Sequence, residues 1–311
     1  MVQKSRLSVI LAKLEVTYGT DPTPDTTNDA VQVEELEITP ENDQNERPSQ
    51  GISIGYEKEI TGKRRYKVKF KTPVVGSGAA GTEPKGVSAL NQACALALTT
   101  SAGVSNTYLV ASASLKSVTV YAYLDGVLHK LKGCVGTKTI EADAGGLLYQ
   151  VFEMMALWAE PTDVAVPTSW TPNTTTPLSF KNVTATLDGY AIVLRSLSLK
   201  LNNVTHERGD ANAADGIAGF EVVDRNPEGE IVIEALTLAT KGYWAKMAAD
   251  TLVTLSVVLG DTAGNIWTFT CENVKLRQLP YSEEDGIYTH PIAVQFAKSV
   301  SGNNEWQEVY T

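Results

Sequence analysis

The residues that most often do chemistry in proteins are few and scattered in this chain of 311 residues. Its histidines, His129, His206 and His290, have neither the H-x-x-x-H nor the H-E-x-x-H spacing that brings two imidazoles onto one metal ion. The pattern G-x-S-x-G occurs once, as Gly51-Ile-Ser-Ile-Gly55, but it lies inside a polar loop and not in the strand-to-helix turn of a nucleophile. The acidic cluster Glu283-Glu284-Asp285-Gly286 lacks the spaced ligands of a calcium loop and is typical of a solvated turn. The sequence therefore predicts no catalytic residue, no metal site and no cofactor, and we expect a protein that is not an enzyme.

One glycine-rich motif could in principle cradle a nucleotide. Gly76-Ser-Gly78-Ala-Ala-Gly81 has the G-x-G-x-x-G form of dinucleotide-binding loops. In those loops a helix begins at the third glycine and an acidic residue follows about 20 residues later. Here Thr82-Glu-Pro84-Lys-Gly86 follows the third glycine, and the region near Thr100 is uncharged. We therefore interpret the motif as an ordinary loop.

Composition and charge narrow the possible functions further. With 43% hydrophobic and 20% charged residues, the chain can bury a sizeable core. A formal net charge of −10 argues against a protein that grips nucleic acid, because affinity for phosphate groups comes from clustered Lys and Arg. Cys94, Cys134 and Cys271 have no C-x-x-C spacing and indicate reduced core thiols. No apolar run has membrane-spanning length and no cleavage signal follows the N-terminus, so we expect a mature product of a cytoplasm.

The elements that carry these residues are mainly β-strands. Short runs rich in Val, Leu, Ile, Thr and Tyr are separated by Gly, Asp, Asn and Pro clusters, roughly every ten residues. Val118–Leu124 and Val127–Leu131 flank Asp125-Gly126, a strong signal for a β-hairpin. Helical patterns are confined to Val87–Leu98 and Gly242–Ala249. We predict a mainly β protein with one short helix in each half.

The two halves of the chain repeat one pattern. Val33–Thr39 and Leu194–Lys200 are similar strands, and each is followed by a Glu-Arg pair. The arginines of these pairs, Arg47 and Arg208, are separated by the same interval as the two strands, and we call this spacing the repeat interval. A polar loop, a strand, the short helix and two hairpins then follow in the same order in both halves. Because repeats decide architecture, we interpret the chain as an internal duplication.

The duplication predicts the domain boundaries. Residues 31–160 form the first domain and residues 178–300 the second, joined by a proline-rich linker at residues 161–177. Residues 1–30 are predicted to be an N-terminal arm, since prolines among polar residues favour an extended chain. Residues 301–311 are the C-terminal tail.

The first two strands of each repeat carry opposite charges, and the signs differ between the two repeats. Gly62–Lys71 is a basic strand in the first half, and the acidic strand before it can place carboxylates opposite the lysines. In the second half the signs are exchanged, which indicates structural compensation. The alternative is complementary contact between neighbouring domains. The predicted pairs involve Glu35, Glu37, Lys67, Lys69, Lys200 and Glu234.

Several segments resemble the major tail tube proteins of siphophages, the phages with long non-contractile tails. They are Leu11–Pro24, Val75–Thr82, Leu124–Leu131 and Ser301–Trp306, in the same order along nearly the whole chain. The resemblance implies domains of the β-sandwich or half-barrel type, each with one short helix. Their inner sheets join into a ring-shaped β-barrel on oligomerisation, and rings stack into a hollow tube that delivers phage DNA. The product would be made in the host bacterial cytoplasm and end in the virion tail.

The resemblance also implies partners. Most relatives form rings of six one-domain subunits, so a duplicated chain suggests three copies in a ring with pseudo-sixfold symmetry. Four strands from each of six domains would give a barrel of 24 strands, wide enough for a channel that DNA crosses without specific binding. A tape-measure protein, a tail terminator and tail tip proteins are the further partners, and no membrane is involved.

The loops after the Glu-Arg pairs, about residues 47–62 and 208–229, would by resemblance reach the neighbouring ring. The N-terminal arm and residues 303–311 would lie beside them. An apolar residue in a polar loop must be buried by something, either another ring or the loop's own domain. The predicted contact residues are Arg47, Ile52, Ile54, Tyr56, Arg208, Ile217 and Phe220.

Two other structural roles remain open from sequence. A tail tip or fibre protein that binds a cell-surface receptor would show aromatic platforms, whereas the five tryptophans are dispersed. An inner tube protein of a contractile tail or secretion system shares the fold by resemblance, but such proteins typically have one domain.

Overall fold

Strands dominate the structure, a computed structural model that describes residues 3–311. Strand accounts for 52% of the chain and helix for 4%, which confirms the predicted mainly β fold. The first half contains β1 (Ser8–Leu14), β2 (Ala30–Val31), β3 (Glu34–Arg47), β4 (Glu57–Pro73), α1 (Val87–Ala93), β5 (Leu96–Ser101), β6 (Ser105–Val110), β7 (Val118–Leu124), β8 (Val127–Asp143), β9 (Tyr149–Leu157) and β10 (Thr162–Asp163). The second half contains β11 (Thr184–Leu187), β12 (Tyr190–Ala191), β13 (Leu194–Lys200), β14 (Asn203–Gly209), β15 (Ile217–Arg225), β16 (Glu228–Glu234), α2 (Tyr243–Ala248), β17 (Val253–Leu259), β18 (Trp267–Gln278), β19 (Ser282–Glu284), β20 (Ile287–Phe296) and β21 (Gln307–Tyr310).

Local sequence explains several of these elements. Asp125 and Gly126 both have positive φ, 39° and 103°, as a tight turn between β7 and β8 requires. The hairpin expected there is present. Each of the two segments with a helical pattern contains a short helix, α1 and α2, although both helices are shorter than the patterns. Helix α1 buries all its residues except Gln92.

The duplication extends to the register of strand pairing. Asn42 of β3 faces Arg64 of β4, and one repeat interval later Asn203 of β14 faces Arg225 of β15. The pair Ile38 and Val68 in the same way matches Leu199 and Gly229 of β13 and β16. We call two residues repeat-equivalent when they occupy matched positions of this kind. The strand β3 is thus equivalent to β13 and β14 together, and β4 to β15 and β16 together.

The two repeats join edge to edge in one continuous inner sheet. Its strands lie in the order β3, β4, β9, β8, β13, β16, β20 and β18, four from each repeat. The seam is the antiparallel pair β8 and β13, in which Asp143 faces Ser196 and Thr139 faces Lys200. One face of this sheet is buried in the core through residues such as Phe152 and Ile231. The opposite face is polar.

Outer strands complete each sandwich, because β8 and β18 are long enough to take part in both layers. In the first half β1 lies between β2 and β7, while β7 and β10 flank the first part of β8. In the second half β17 and β21 flank the first part of β18. The hairpin of β5 and β6 extends from the first repeat to pair with β21.

Two segments expected outside the domains take part in these layers. Residues 8–14 of the predicted N-terminal arm form β1, which pairs with β7 along its whole length. Residues 307–310 of the predicted tail form β21, which lies between β6 and β18. No helix within residues 3–311 is long and apolar enough to cross a membrane.

Candidate assembly surfaces

On the polar face of the inner sheet, two lysines of the basic strand form ion pairs with carboxylates of neighbouring strands. Lys69 Nζ lies 2.7 Å from Glu153 Oε1 of β9, and Glu37 faces Lys69 from β3. Lys71 Nζ lies 2.6 Å from Glu35 Oε1. The Glu35 and Glu153 carboxylates raise the pKa values of these two lysines through hydrogen bonds, so both stay charged. The basic strand is therefore largely neutralised by its neighbours and is a poor phosphate-binding stripe.

The second repeat carries the reversed charges on the same face. Arg195 NH2 lies 3.0 Å from Glu234 Oε1, which joins β13 to β16. Lys200 faces Glu228 in the register of these strands. Lys67 is exposed and lies between Thr39 and Met155. Of the predicted charged residues, the structure therefore puts Glu35 and Glu234 in ion pairs between the first two strands of a repeat and pairs Lys69 with β9.

Two edges of the inner sheet are open. Within residues 3–311, β3 pairs only with β4, and the strands β18, from Lys275 onwards, and β19 pair only with β20. Leu36 and Ile38 on β3 are half-buried, and Tyr281 beside β19 is 60% exposed. An open edge offers unpaired N–H and C=O groups to another strand. Both ends of the inner sheet are therefore free to pair with another strand.

The end of the β3–β4 hairpin projects from the fold. Ile52, Ile54 and Tyr56 are exposed, the two isoleucines completely and Tyr56 to 71%. At the base of this loop, Arg47 NH2 lies 3.1 Å from Glu57 Oε2, so the two strands remain paired up to the loop. The structure thus places four of the predicted contact residues together at one exposed hairpin end, residues 47–57.

The repeat-equivalent hairpin, β14 and β15, is folded onto the first domain instead. Ile217 and Phe220 are each 4% exposed and pack against Val135, Met155 and Leu157. Their apolar side chains are thus covered within the chain, but by the other domain and not by the loop's own domain. Arg208 remains exposed near the turn.

Polar contacts fix this hairpin on the first domain. The Tyr18 hydroxyl donates to the Gly133 carbonyl at 3.0 Å and accepts from the Phe220 N–H at 2.7 Å. Burial raises the pKa of Tyr18 well above its usual value, so the phenol remains a donor. Lys63 Nζ also lies 2.6 Å from Glu207 Oε1. Further contacts join Arg64 to Asp215 and Arg65 to Glu207.

The glycine motif and one of the three histidines take part in structural contacts. The Gly76 N–H donates to Asn265 Oδ1 at 2.8 Å and the Gly78 N–H donates to the Gly264 carbonyl at 3.0 Å, so the glycine motif packs against the second domain. His290 Nδ1 lies 2.9 Å from the Pro280 carbonyl. Within residues 3–311 no group of three or more His, Cys, Asp or Glu could hold a metal ion.

The phage tail tube protein family matches residues 5–306. This chain belongs to that family. The match covers both repeats and the seam between them, which confirms the resemblance to phage tail tube proteins found in the sequence. No curated protein matches the chain. The tail tube chain is therefore a structural protein of a phage tail, and its family assembles into tubes.

In this tail tube chain, sequence reasoning missed the surface of the first domain on which the β14–β15 hairpin is docked. Val135 and Met155 hold the folded hairpin, and Tyr18 bonds to it, yet none stands out in the sequence. The missed signal is the repeat interval, which also separates Arg64 from Arg225 on the second strand of each hairpin. That continuation shows that β14 and β15 repeat the β3–β4 hairpin and are not a loop.

Proposed function

We propose that three copies of this chain close into a ring with pseudo-sixfold symmetry, and that stacked rings form a siphophage tail tube through which DNA reaches the host. The observation that carries the proposal is the seam of β8 and β13, where one domain continues the inner sheet of the other. The seam is a template for contact between copies. A tube built from identical chains needs only that the same joint be repeated between copies.

The two open edges of the inner sheet could form the same strand pairing between copies that β8 and β13 form within one chain. The first part of strand β3 is equivalent to β13, while the later part of β18 and β19 is equivalent to the later part of β8. Pairing β3 of one copy with β18 and β19 of the next would close three chains into a barrel of 24 strands, since each repeat contributes four. Barrels of 16 to 18 strands already leave an aqueous channel. The half-buried Leu36 and Ile38 and the exposed Tyr281 would be covered there.

The polar face of the inner sheet would line the channel. Two of its lysines, Lys69 and Lys71, are paired with Glu153 and Glu35, which leaves fewer unpaired cations for DNA phosphates. Three chains of formal charge −10 bring −30 to each ring, which disfavours adhesion of phosphates. Screening limits the reach of that charge to about 8 Å at physiological salt. A channel of this kind lets DNA slide without binding it.

Contact between rings would use the end of the β3–β4 hairpin. Ile52 and Ile54 are fully exposed on a short polar loop, and exposed apolar residues of this kind mark an interaction site. Arg47 lies at the base of the same loop. A tape-measure protein, a tail terminator and tail tip proteins would set the length and ends of the tube. The protein would be made in the host cytoplasm.

Electron microscopy of the purified, concentrated protein tests this proposal. Averaged end-on views should show rings with a central hole and a threefold modulation of a sixfold outline. Side views should show stacked rings. Rings of six identical units would contradict the trimer, and discrete monomers at all concentrations and salt conditions would contradict the self-assembling tube.

A further inference from the structure

We infer that Tyr56 of one copy docks in a cavity on the second domain of its neighbour in the same ring, so that the hairpin joins subunits laterally. The inference rests on the proposed ring and adds a second joint to it. It also divides the hairpin end into two parts. Tyr56 at its base serves the same ring, whereas Ile52 and Ile54 at its tip are left for the next ring.

The contact between the two domains of one chain is the template. Ile217 of the second repeat is seated against Met155 and Leu157 at the end of β9. Tyr56 is repeat-equivalent to Ile217, because the two are separated by the repeat interval that both strands of the hairpin keep. Within its own chain, however, Tyr56 is 71% exposed. The side chain at this position is thus buried in the second repeat, as Ile217, and exposed in the first repeat, as Tyr56.

The receiving position also occurs twice. Met155 faces Lys67 of β4, and the equivalent pair in the second repeat is Gln295 facing Glu228. Gln295 and Ala297 are therefore equivalent to Met155 and Leu157. In the second repeat these residues line an open cavity of about 770 Å³ instead of holding a hairpin. The cavity beside Gln295 and Ala297 is therefore the site at which Tyr56 of another copy would dock.

The cavity has an apolar rim and a fixed wall. Val223 is 59% exposed and Val300 is fully exposed, so the rim offers apolar surface for contact with a partner. The wall is held by Arg225, whose Nε lies 2.7 Å from Glu305 Oε1 and whose NH1 donates to the Ala111 carbonyl. Glu305 Oε2 is buried without a hydrogen-bond partner within residues 3–311, and the phenol of Tyr56 would bring a donor to this wall.

The occupant is a second copy because the ring geometry delivers it there. Within the chain, the β14–β15 hairpin continues strands β13 and β16, and it lies over β8 and β9 next to the β8–β13 seam. Joining β3 to the β18 edge of a neighbour would carry the β3–β4 hairpin over that neighbour's β18 and β20 by the same geometry. The cavity beside Gln295 lies at the end of β20.

Cysteine crosslinking in assembled tubes tests the docking. A chain with Tyr56→Cys and Gln295→Cys would be assembled, checked by electron microscopy and treated with a short bismaleimide. The native cysteines are buried and should not react. If docking is lateral in a closed ring of three, the denaturing gel should show dimers and trimers and nothing larger. Docking between rings would instead give a ladder that continues beyond three chains, and this result would overturn the inference.

Controls separate the docking from the ring itself. Tyr56→Cys paired with Leu238→Cys, an exposed residue between β16 and α2, should stay monomeric on the gel. A second pair, Glu59→Cys with Ala297→Cys, covers the equivalents of Phe220 and Leu157 in case the first pair blocks assembly. Rings in micrographs without crosslinks from either pair would refute the docking alone. Absence of rings from the unaltered chain would refute the ring on which it depends.

Discussion

Lys138 of β8 and Glu308 of β21 form an ion pair in the middle of the molecule, with 2.8 Å between Nζ and Oε1 and both side chains fully buried. The indole N–H groups of Trp267 and Trp306 donate to the same carboxylate at 3.1 and 2.8 Å. Asn91 of α1 accepts from the ammonium at 2.7 Å. Because Lys138 belongs to the first repeat and Glu308 to the last strand, this network fastens the end of the chain to the first domain.

Removing one member of this pair should destabilise the fold strongly. Glu308→Gln leaves a buried ammonium without its counter-ion, and Lys138→Met leaves a buried carboxylate. Each should lower the free energy of unfolding by about 3–5 kcal/mol, because an unpaired buried charge loses its solvation without compensation. The double variant should recover part of that loss. Urea denaturation of the four proteins measures the coupling.

A matched control lies on the exposed face. Lys69 and Glu153 form a pair of similar length whose side chains are 48% and 41% exposed. Lys69→Met should change the free energy of unfolding by less than about 1 kcal/mol, because water screens the pair. If Glu308→Gln were as mild as Lys69→Met, the buried network would not be fastening the chain end.

Local signals explain what the sequence can predict. Asp125-Gly126 fixes its hairpin because both residues adopt positive φ, which few other pairs tolerate. The duplication is visible because equivalent strands keep their spacing. By contrast, β1 pairs with β7 over more than 100 residues of sequence, as between Leu11 and Tyr121, and nothing near Leu11 specifies that partner. From sequence alone, residues 8–14 therefore look like part of an arm.

Burial of charge and docking of hairpins depend on tertiary context. Lys138 stands among alternating polar residues of a strand, yet Glu308 makes its burial possible from 170 residues away. Ile217 and Phe220 need a cover because they are apolar in a polar segment. Whether that cover is another ring or the first domain depends on where Met155 and Leu157 come to lie. Only the fold supplies that position.

Adding one methyl group at Gly219 should loosen the β14–β15 hairpin. A Cβ built there would lie 2.5 Å from the Tyr18 ring, which is itself held by Gly133 and Phe220. Gly219→Ala should therefore displace Tyr18 and destabilise the docked hairpin by about 1–3 kcal/mol, as overpacking does. Amide hydrogen exchange across residues 203–225 should become faster.

The control for this change is in the same hairpin. At Gly209 a Cβ would lie 3.3 Å from Nζ of Lys63, whose flexible side chain can shift and still reach Glu207, and 3.9 Å, an ordinary contact distance, from the Gly216 carbonyl oxygen. Gly209→Ala should leave exchange across residues 203–225 unchanged. Equal exchange in both variants would mean that Tyr18 does not hold the hairpin in solution.

The three cysteines should react with a thiol reagent only when the chain unfolds. Burial raises the pKa of the Cys94 and Cys271 thiols to about 12, and that of Cys134 is raised further. All three therefore remain protonated between pH 7 and 9, and the thiolate is the reactive form. A maleimide should label none of them in the folded chain at pH 8 and all three in urea. Fast labelling of the folded chain would show that the core opens readily.

Charge at the exposed hairpin tip should block the stacking of rings. Ile52→Asp with Ile54→Asp replaces two fully exposed apolar side chains, so the folded subunit loses no packing and its melting temperature should stay unchanged. In a stacked tube the same two carboxylates would be buried against another ring without partners, which costs several kcal/mol per contact. Micrographs should therefore show single rings or free subunits in place of long tubes.

A control variant distinguishes loss of the contact at the hairpin tip from the general effect of added surface charge. Leu238→Asp with Leu252→Asp places the same two charges on exposed leucines that flank α2. That control should form tubes of normal length, because a solvated carboxylate on a face outside the contact costs nothing on assembly. Normal tubes from the Ile52 and Ile54 variant would show that rings stack through another surface. If both variants fail, added negative charge on an already acidic subunit, and not loss of the isoleucine contact, opposes assembly, and assembly at higher salt should then be restored.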